Sequence, residues 1–274
     1  MEPYCSEYGG CVVSAAIQLY AQAIYPSEPI VPSEMEKIIR DYFKTERFVK
    51  LTNGAPQMSG LGGSAACFVV GIKAVSPQSS NWEIARLAYK LERNNMAVAG
   101  GKQDQYISAF GGLNFMAFNS CGVKVEPIVI PEGFEELLVL VYMGQRNRAG
   151  ADIIKDQLAR DNSANFRIQK EIARDMKVAL SQGHLDYFGA LLEMAWLSKI
   201  QFSPLIATEE IKEFHDDCLK HGAIGGKLTG AGGGGYMLLM ESPQMKGVLR
   251  TYLSEKKISY LDVKFDTEGV KVVD

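Results

Sequence analysis

Hydrophobic stretches of two different periods succeed one another along this chain, separated by glycine and proline clusters. Residues 11–17 (CVVSAAI) are β-branched enough for a strand, and a second extended stretch runs to Tyr25. Pro26, Pro29 and Pro32 break the chain. Ser33-Glu34-Met35-Glu36 then has the form of a capping box, and Met35, Ile38, Ile39, Tyr42 and Phe43 follow at helical spacing. A short strand is predicted over 50–53. A glycine-rich loop feeds the apolar segment 67–75 as a helix, and Ile84, Leu87, Ala88 and Leu91 share one face of a helix over 81–94. Residues 100–106 open another helical turn, which Gly111-Gly112 ends; 113–118 and 123–130 read as strands.

Pro131-Glu132-Gly133 is a turn, and the boundary between two domains, 1–130 and 131–274, is placed there. The second half opens with a buried strand over 137–143, followed by helices over 150–181, 184–200 and 208–221. A glycine-rich run at 225–235 enters a strand at 236–240, and a helix over 243–257 and a strand pair within 258–273 close the chain. Strands and helices mixed in each half, without regular alternation, indicate an α+β fold.

Composition mainly excludes. Hydrophobic residues are 47% and charged residues 22%, which is ordinary for a globular protein and rules out a disordered chain. The formal charge of −3 gives no bulk attraction for nucleic acid or anionic membrane. The longest strongly apolar run, 137–143, is far short of the ~20 residues of a bilayer helix. The first basic residue is Lys37, so no positive n-region of a signal peptide is present, and five scattered cysteines without a C-x-x-C read as reduced thiols of a cytoplasmic protein. His215, Cys218 and His221 lack a fourth zinc ligand at metal spacing and read as helix-face residues. The unusual number is 27 glycines in 274 residues, because they cluster.

The first cluster is Pro56-Gln57-Met58-Ser59-Gly60-Leu61-Gly62-Gly63-Ser64-Ala65-Ala66. Glycines let backbone N–H groups approach an anion, a helix N-terminus adds unsatisfied donors, and Ser64 offers a hydroxyl to a phosphate oxygen or a phosphate-bound Mg²⁺. No Lys-Ser/Thr follows, so this is not a Walker loop. The second cluster is Lys227-Leu228-Thr229-Gly230-Ala231-Gly232-Gly233-Gly234-Gly235.

Together, in this order and ~165 residues apart, the two clusters resemble the phosphate loop and C-terminal glycine motif of the GHMP kinases. The resemblance extends over nearly the whole chain. It implies a ribosomal-protein-S5-domain-2-like N-terminal domain, a ferredoxin-like C-terminal domain, and ATP between them. ATP phosphates would lie on Pro56, Ser59, Gly60, Leu61, Gly62, Gly63, Ser64 and Ala65, with Gly230, Ala231, Gly232 and Gly233 supporting the loop. It also implies that Ser64 and Glu92 bind Mg²⁺ and that Asp104, in Gly100-Gly101-Lys102-Gln103-Asp104-Gln105-Tyr106, faces the acceptor hydroxyl, with Lys102 beside it as a second catalytic candidate. That division suits the chemistry: Mg²⁺ takes one or two carboxylates plus phosphate oxygens, and another carboxylate accepts the hydroxyl proton.

Within the family the 100–106 segment, Phe110-Gly111-Gly112-Leu113-Asn114-Phe115 and Phe265-Asp266-Thr267-Glu268-Gly269-Val270 look most like the D-glycero-D-manno-heptose 7-phosphate kinases. The implied acceptor is the anomeric hydroxyl of a sugar 7-phosphate, whose phosphate would need Arg146, Arg148 or Lys102. A free sugar of the fucose or galactose type is the alternative acceptor, and a nucleotide-binding regulator the alternative function.

Two features depart from the family pattern. Gly63 stands where relatives usually carry the first of two serines. Relatives also begin with a strand bearing Pro-x-Arg and a glycine-rich segment ending in Thr-Asp, whereas Met1 lies just downstream of that motif, and the span 25–56 is shorter than in relatives. The expectation is a complete phosphate side, an exposed neighbouring sheet edge, and retained Mg·ATP binding. Sugar turnover would be lower than in a chain extended upstream by ~20 residues.

Overall fold

The computed structural model describes every residue except 1–3, 29–30, 47, 97–99, 146–149 and 274. In chain order the elements are α1 (Tyr4–Tyr8), β1 (Gly10–Ala15), β2 (Ala21–Ile24), α2 (Glu34–Phe43), β3 (Lys50–Asn53), α3 (Gly63–Val75), α4 (Asn81–Met96), α5 (Gln103–Phe110), β4 (Leu113–Asn119) and β5 (Gly122–Ile128). Then come β6 (Leu138–Tyr142), α6 (Gly150–Leu158), α7 (Ser163–Ser181), α8 (Leu185–Ile200), α9 (Glu209–Lys220), β7 (Ala223–Leu228), β8 (Tyr236–Glu241), α10 (Val248–Glu255) and β9 (Tyr260–Asp262).

Antiparallel pairing gives a three-stranded sheet, β1-β4-β5, with β1 at one edge. Strand alternation gives it two apolar faces. Val12, Met116, Phe118 and Val125 meet Phe68, Ile72, Ile84 and Tyr106 of α3, α4 and α5, while Val13, Phe115 and Ala117 face Ile172 and Met176 of α7. Phe68, Ile84 and Met116 have lost all solvent contact, and each such side chain contributes about 1.5–3 kcal/mol relative to exposure. A two-stranded sheet, β2-β3, packs against α3.

In the second half the order is β7-β8-β6-β9, all antiparallel, which by appearance is 2-3-1-4 and is the split βαβ arrangement of ferredoxin-like folds. Val139 and Val141 point to Trp196 and Ile206, whereas Leu138 and Leu140 join the cluster holding Leu113 and Phe115. One core therefore spans both halves. The α+β fold with a ferredoxin-like second half stands as expected.

Several elements differ from the sequence reading. The helix expected over 150–181 breaks at Asn162, whose buried amide donates to Gln157 O (2.8 Å) and Phe202 O (3.1 Å) and holds the turn. The glycines at 225–226 lie inside strand β7, because helix and strand backbones meet closely there: a Cβ on Gly225 would stand 2.2 Å from Gly189 O of α8. The helix expected over 243–257 is a 3₁₀ turn at 243–245 followed by the shorter α10. α1 carried no sequence signal.

The expected strand pair at 258–273 is also corrected. Only β9 forms, and the chain then crosses to the first half. There Gln18 N donates to Lys264 O (2.8 Å), Asp266 N to Ala16 O (2.9 Å), Gly112 N to Asp266 O (2.6 Å) and Val270 N to Ala109 O (3.2 Å). At the C-terminus of α5 this segment locks in place through Gly269, whose φ is +72° and whose added Cβ would lie 2.5 Å from Ala109 O. Gly269→Ala is expected to cost about 2–4 kcal/mol, from left-handed strain and weakened hydrogen bonds, and a urea titration should show a lower midpoint at unchanged slope.

Candidate active site

The start of α3 is built to stay open. α2 begins with the capping box of Ser33 and Glu36, and Thr208 caps α9, but no side chain caps α3. Its N-cap is Gly62, with φ +73°, and Gly60 has φ +81°, so the loop turns where L side chains are disfavoured and the first-turn N–H groups have no capping side chain. That is the arrangement an anionic polyphosphate requires. Ser59 N donates to Pro56 O at 3.2 Å to close the preceding turn, Met58 adopts φ +58°, and Leu61 packs on the core shared by both halves.

Gly63 has a local cause. Asn53, at the end of β3, lies against it, with Nδ2 only 2.1 Å from where a Cβ would stand, and Asn53 Oδ1 accepts from Ala55 N (3.0 Å). The space of a side chain at 63 is already occupied.

Two elements, α4 and α5, bring acidic groups to this loop. Ser64 Oγ donates to Glu92 Oε1 at 2.6 Å, and Gln105 Nε2 donates to Glu92 Oε2. Asp104, in the first turn of α5, lies beside the N-cap: its Cγ is 3.5 Å and its Oδ2 3.9 Å from the Cβ position of Gly62. Burial pushes the Asp104 carboxyl up to about 6; the negative charge of Glu92 adds to the rise and a hydrogen bond with Gln103 opposes it. The Lys102 ammonium lies 5.5 Å over the Tyr89 ring.

The C-terminal glycine run braces the loop from behind. Tyr236 N donates to Ser59 O at 2.9 Å, and Thr229 Oγ1 lies 3.3 Å from the same oxygen. Gly235 must be glycine, since its φ is +83° and a Cβ would fall 2.4 Å from Ser59 O. Gly230 O accepts from Lys199 Nζ, Ala231 O accepts from Gln157 Nε2, and Gly232 and Gly233 pack on Ile206, whose carbonyl takes the Gly233 N–H at 2.7 Å. Contact with the phosphate loop is thus made by Thr229, Gly235 and Tyr236.

The structure brings Ser64, Glu92 and Asp104 together at the start of α3. Arg146 and Arg148 lie outside the described residues. Gln105 and Asn53 join the site without a motif of their own: Gln105 is marked in the sequence only by its place after Asp104, and Asn53's contact with Gly63 exists only in three dimensions. His215 is buried, with Nε2 2.8 Å from Glu193 Oε2 and its ring on Trp196, and burial pushes the Cys218 thiol up to about 12. Among the described residues no helix is long and apolar enough to cross a membrane.

Hydroxyl and carboxylate oxygens converge at Ser64 and Glu92, which suits a hard divalent cation, and the uncapped glycine turn suits the phosphates it accompanies. Comparison with known proteins agrees in kind. Residues 32–112 match the family model for the GHMP kinases N terminal domain, and residues 176–247 that for GHMP kinases C terminal. The chain is 30% identical over 312 residues to D-glycero-alpha-D-manno-heptose 7-phosphate kinase of Campylobacter jejuni, covering 98% of this chain and 92% of that protein. It is 28% identical over 264 residues to a galactokinase of Pyrococcus furiosus, covering 81% and 74%. Among solved structures, a D-glycero-D-manno-heptose 1-phosphate kinase from Bacteriodes thetaiotaomicron superposes with a TM-score of 0.73 at 24% identity, over 100% of this chain and 94% of that one.

Proposed function

The chain belongs to the GHMP kinases and is a phosphotransferase with an alcohol acceptor, and on that premise we propose that it moves the γ-phosphate of ATP to the anomeric hydroxyl of D-glycero-D-manno-heptose 7-phosphate. The observation that carries the site reading is the convergence of Ser64, Glu92 and Asp104 on one uncapped helix N-terminus. The heptose reading is supported by similarity to a relative of that name over 98% of this chain.

In this reading N–H groups of Gly60 to Ala65 bind the phosphates of ATP, and Ser64 Oγ and Glu92 hold Mg²⁺. When bound, Mg²⁺ neutralises charge on the polyphosphate. Residues 230–233 stiffen the support behind the loop. Asp104 takes the proton of the acceptor hydroxyl as the new O–P bond forms, an easier task for an anomeric hydroxyl than for an ordinary alcohol. Its raised pKa suits it to hold that proton near neutrality. Lys102, Arg146 and Arg148 supply cations for the 7-phosphate. In the same reading the chain divides into two domains at 130/131, and the protein works in the cytoplasm.

An ADP-release assay across phosphorylated and free heptoses and hexoses tests the substrate. A sugar 7-phosphate should exceed its unphosphorylated counterpart by about 100-fold in kcat/KM, because the phosphate adds charge-assisted hydrogen bonds that the analogue cannot make. Equal rates would turn the reading to a free-sugar kinase.

A further inference from the structure

Glu92 is buried, at 6% exposure, and its carboxylate is held by two neutral donors, Ser64 Oγ on one oxygen and Gln105 Nε2 on the other. Gln105 is itself buried, at 4% exposure, and its Oε1 has no hydrogen-bond partner among the described residues. A buried amide that forgoes a bond is costly, and turning it over would set Oε1 against a carboxylate, which is worse. The fold tolerates that cost in order to keep Nε2 on Glu92.

We infer that Gln105 is the positioning residue of Glu92, clamping Oε2 so that Oε1 stays directed at Ser64 and the cation site. This rests on the reading of Ser64 and Glu92 as the Mg²⁺ holders. The clamp is needed because a carboxylate's terminal torsion is broad and soft, and once the Ser64 hydroxyl turns to a cation, Gln105 is the donor still holding Glu92. The choice of an amide follows. Lys or Arg at 105 would hold Glu92 but neutralise it, and a second carboxylate would repel it; an amide fixes the group and leaves its charge available. Gln105 also follows Asp104 in the first turn of α5, so one helix start places both carboxylates, Asp104 beside Gly62 and Glu92 through Gln105. The C-terminal segment locked at Gly111 and Gly269 holds the other end of that helix.

The test is calorimetric titration of the intact protein with ADP, with and without Mg²⁺, comparing wild type, Gln105→Met, Gln105→Lys and Glu92→Gln. Met keeps the length and loses the donor; Lys keeps a bond to Glu92, which guards against simple misfolding, but cancels its charge. Metal-free ADP affinity reports that the phosphate loop is intact and should stay within about twofold of wild type. The tightening of ADP by Mg²⁺ should fall about tenfold in both Gln105 variants, and at least as far in Glu92→Gln. If Glu92→Gln loses the tightening while both Gln105 variants keep it, the clamp is overturned and Glu92 retains its role. If Glu92→Gln keeps the tightening, the reading of Glu92 fails and takes the clamp with it.

Discussion

Asp104→Asn should lower kcat by about 10²- to 10⁴-fold while leaving the dissociation constant of Mg·ATP nearly unchanged, because the amide keeps the shape of the carboxylate and cannot take a proton. In the wild-type protein kcat/KM should fall on the acid side with a midpoint near 6, the value to which burial and Glu92 push this carboxyl in the free protein. The variant's residual rate should lose that limb. Stability should move the opposite way. The folded-state pKa of Asp104 lies above its ordinary 3.8, so its contribution to folding is fully present below that value and is lost as pH rises through about 6. At neutral pH the charged carboxylate therefore costs up to about 3 kcal/mol, which asparagine does not incur. A slow variant that melts higher is the expected pair of results; a variant with wild-type turnover would remove Asp104 from the chemistry.

Gly235→Ala should damage both the fold and nucleotide binding. The residue has φ +83°, and its Cβ would lie 2.4 Å from Ser59 O and 2.8 Å from Ser59 C, backbone atoms that can move only if the phosphate loop moves. Left-handed strain of about 1–2 kcal/mol, together with weakening of the Tyr236 N to Ser59 O bond, should cost about 2–4 kcal/mol of stability. Nucleotide affinity should fall at least about tenfold, since the displaced residues directly precede Gly60. Gly183→Ala separates the two causes: it has φ +70° but meets nothing within 4 Å, so it should show the strain alone and normal ADP binding. Equal ADP affinity in the two variants would show that the glycine run does not set the loop.

Much of the site was legible before folding. Gly60, Gly62 and Gly235 declare backbone conformations that other residues resist, and all three have positive φ. Glu92 and Asp104 stand out through the resemblance to the GHMP kinases; on its own residues Glu92 reads as a charge near a helix end, while Asp104 is marked by the glycines and Lys102 beside it. Gly63 shows the limit. As a motif position it reads as a lost hydroxyl; in the structure Asn53, ten positions earlier on another element, occupies its side-chain space. Gln105 likewise reads as a polar residue on a short helix until Glu92, from α4, is seen to accept its N–H.

Local order was settled by the chain itself: apolar periodicity, the Ser33–Glu36 capping box and glycine turns each act within a few residues, and such interactions are encoded where they occur. Packing at a distance decided the rest. β7 carries glycine at 225 where the α8 backbone closes on it and at 226 where β8 does, the 150–181 helix breaks because Asn162 finds Phe202 O forty residues away, and the C-terminal segment crosses halves to where Ala109 O of α5 accepts from Val270 N. Whether Asp104 titrates near 6 belongs to this second class, since desolvation and the charge of Glu92 exist only once three helices have met.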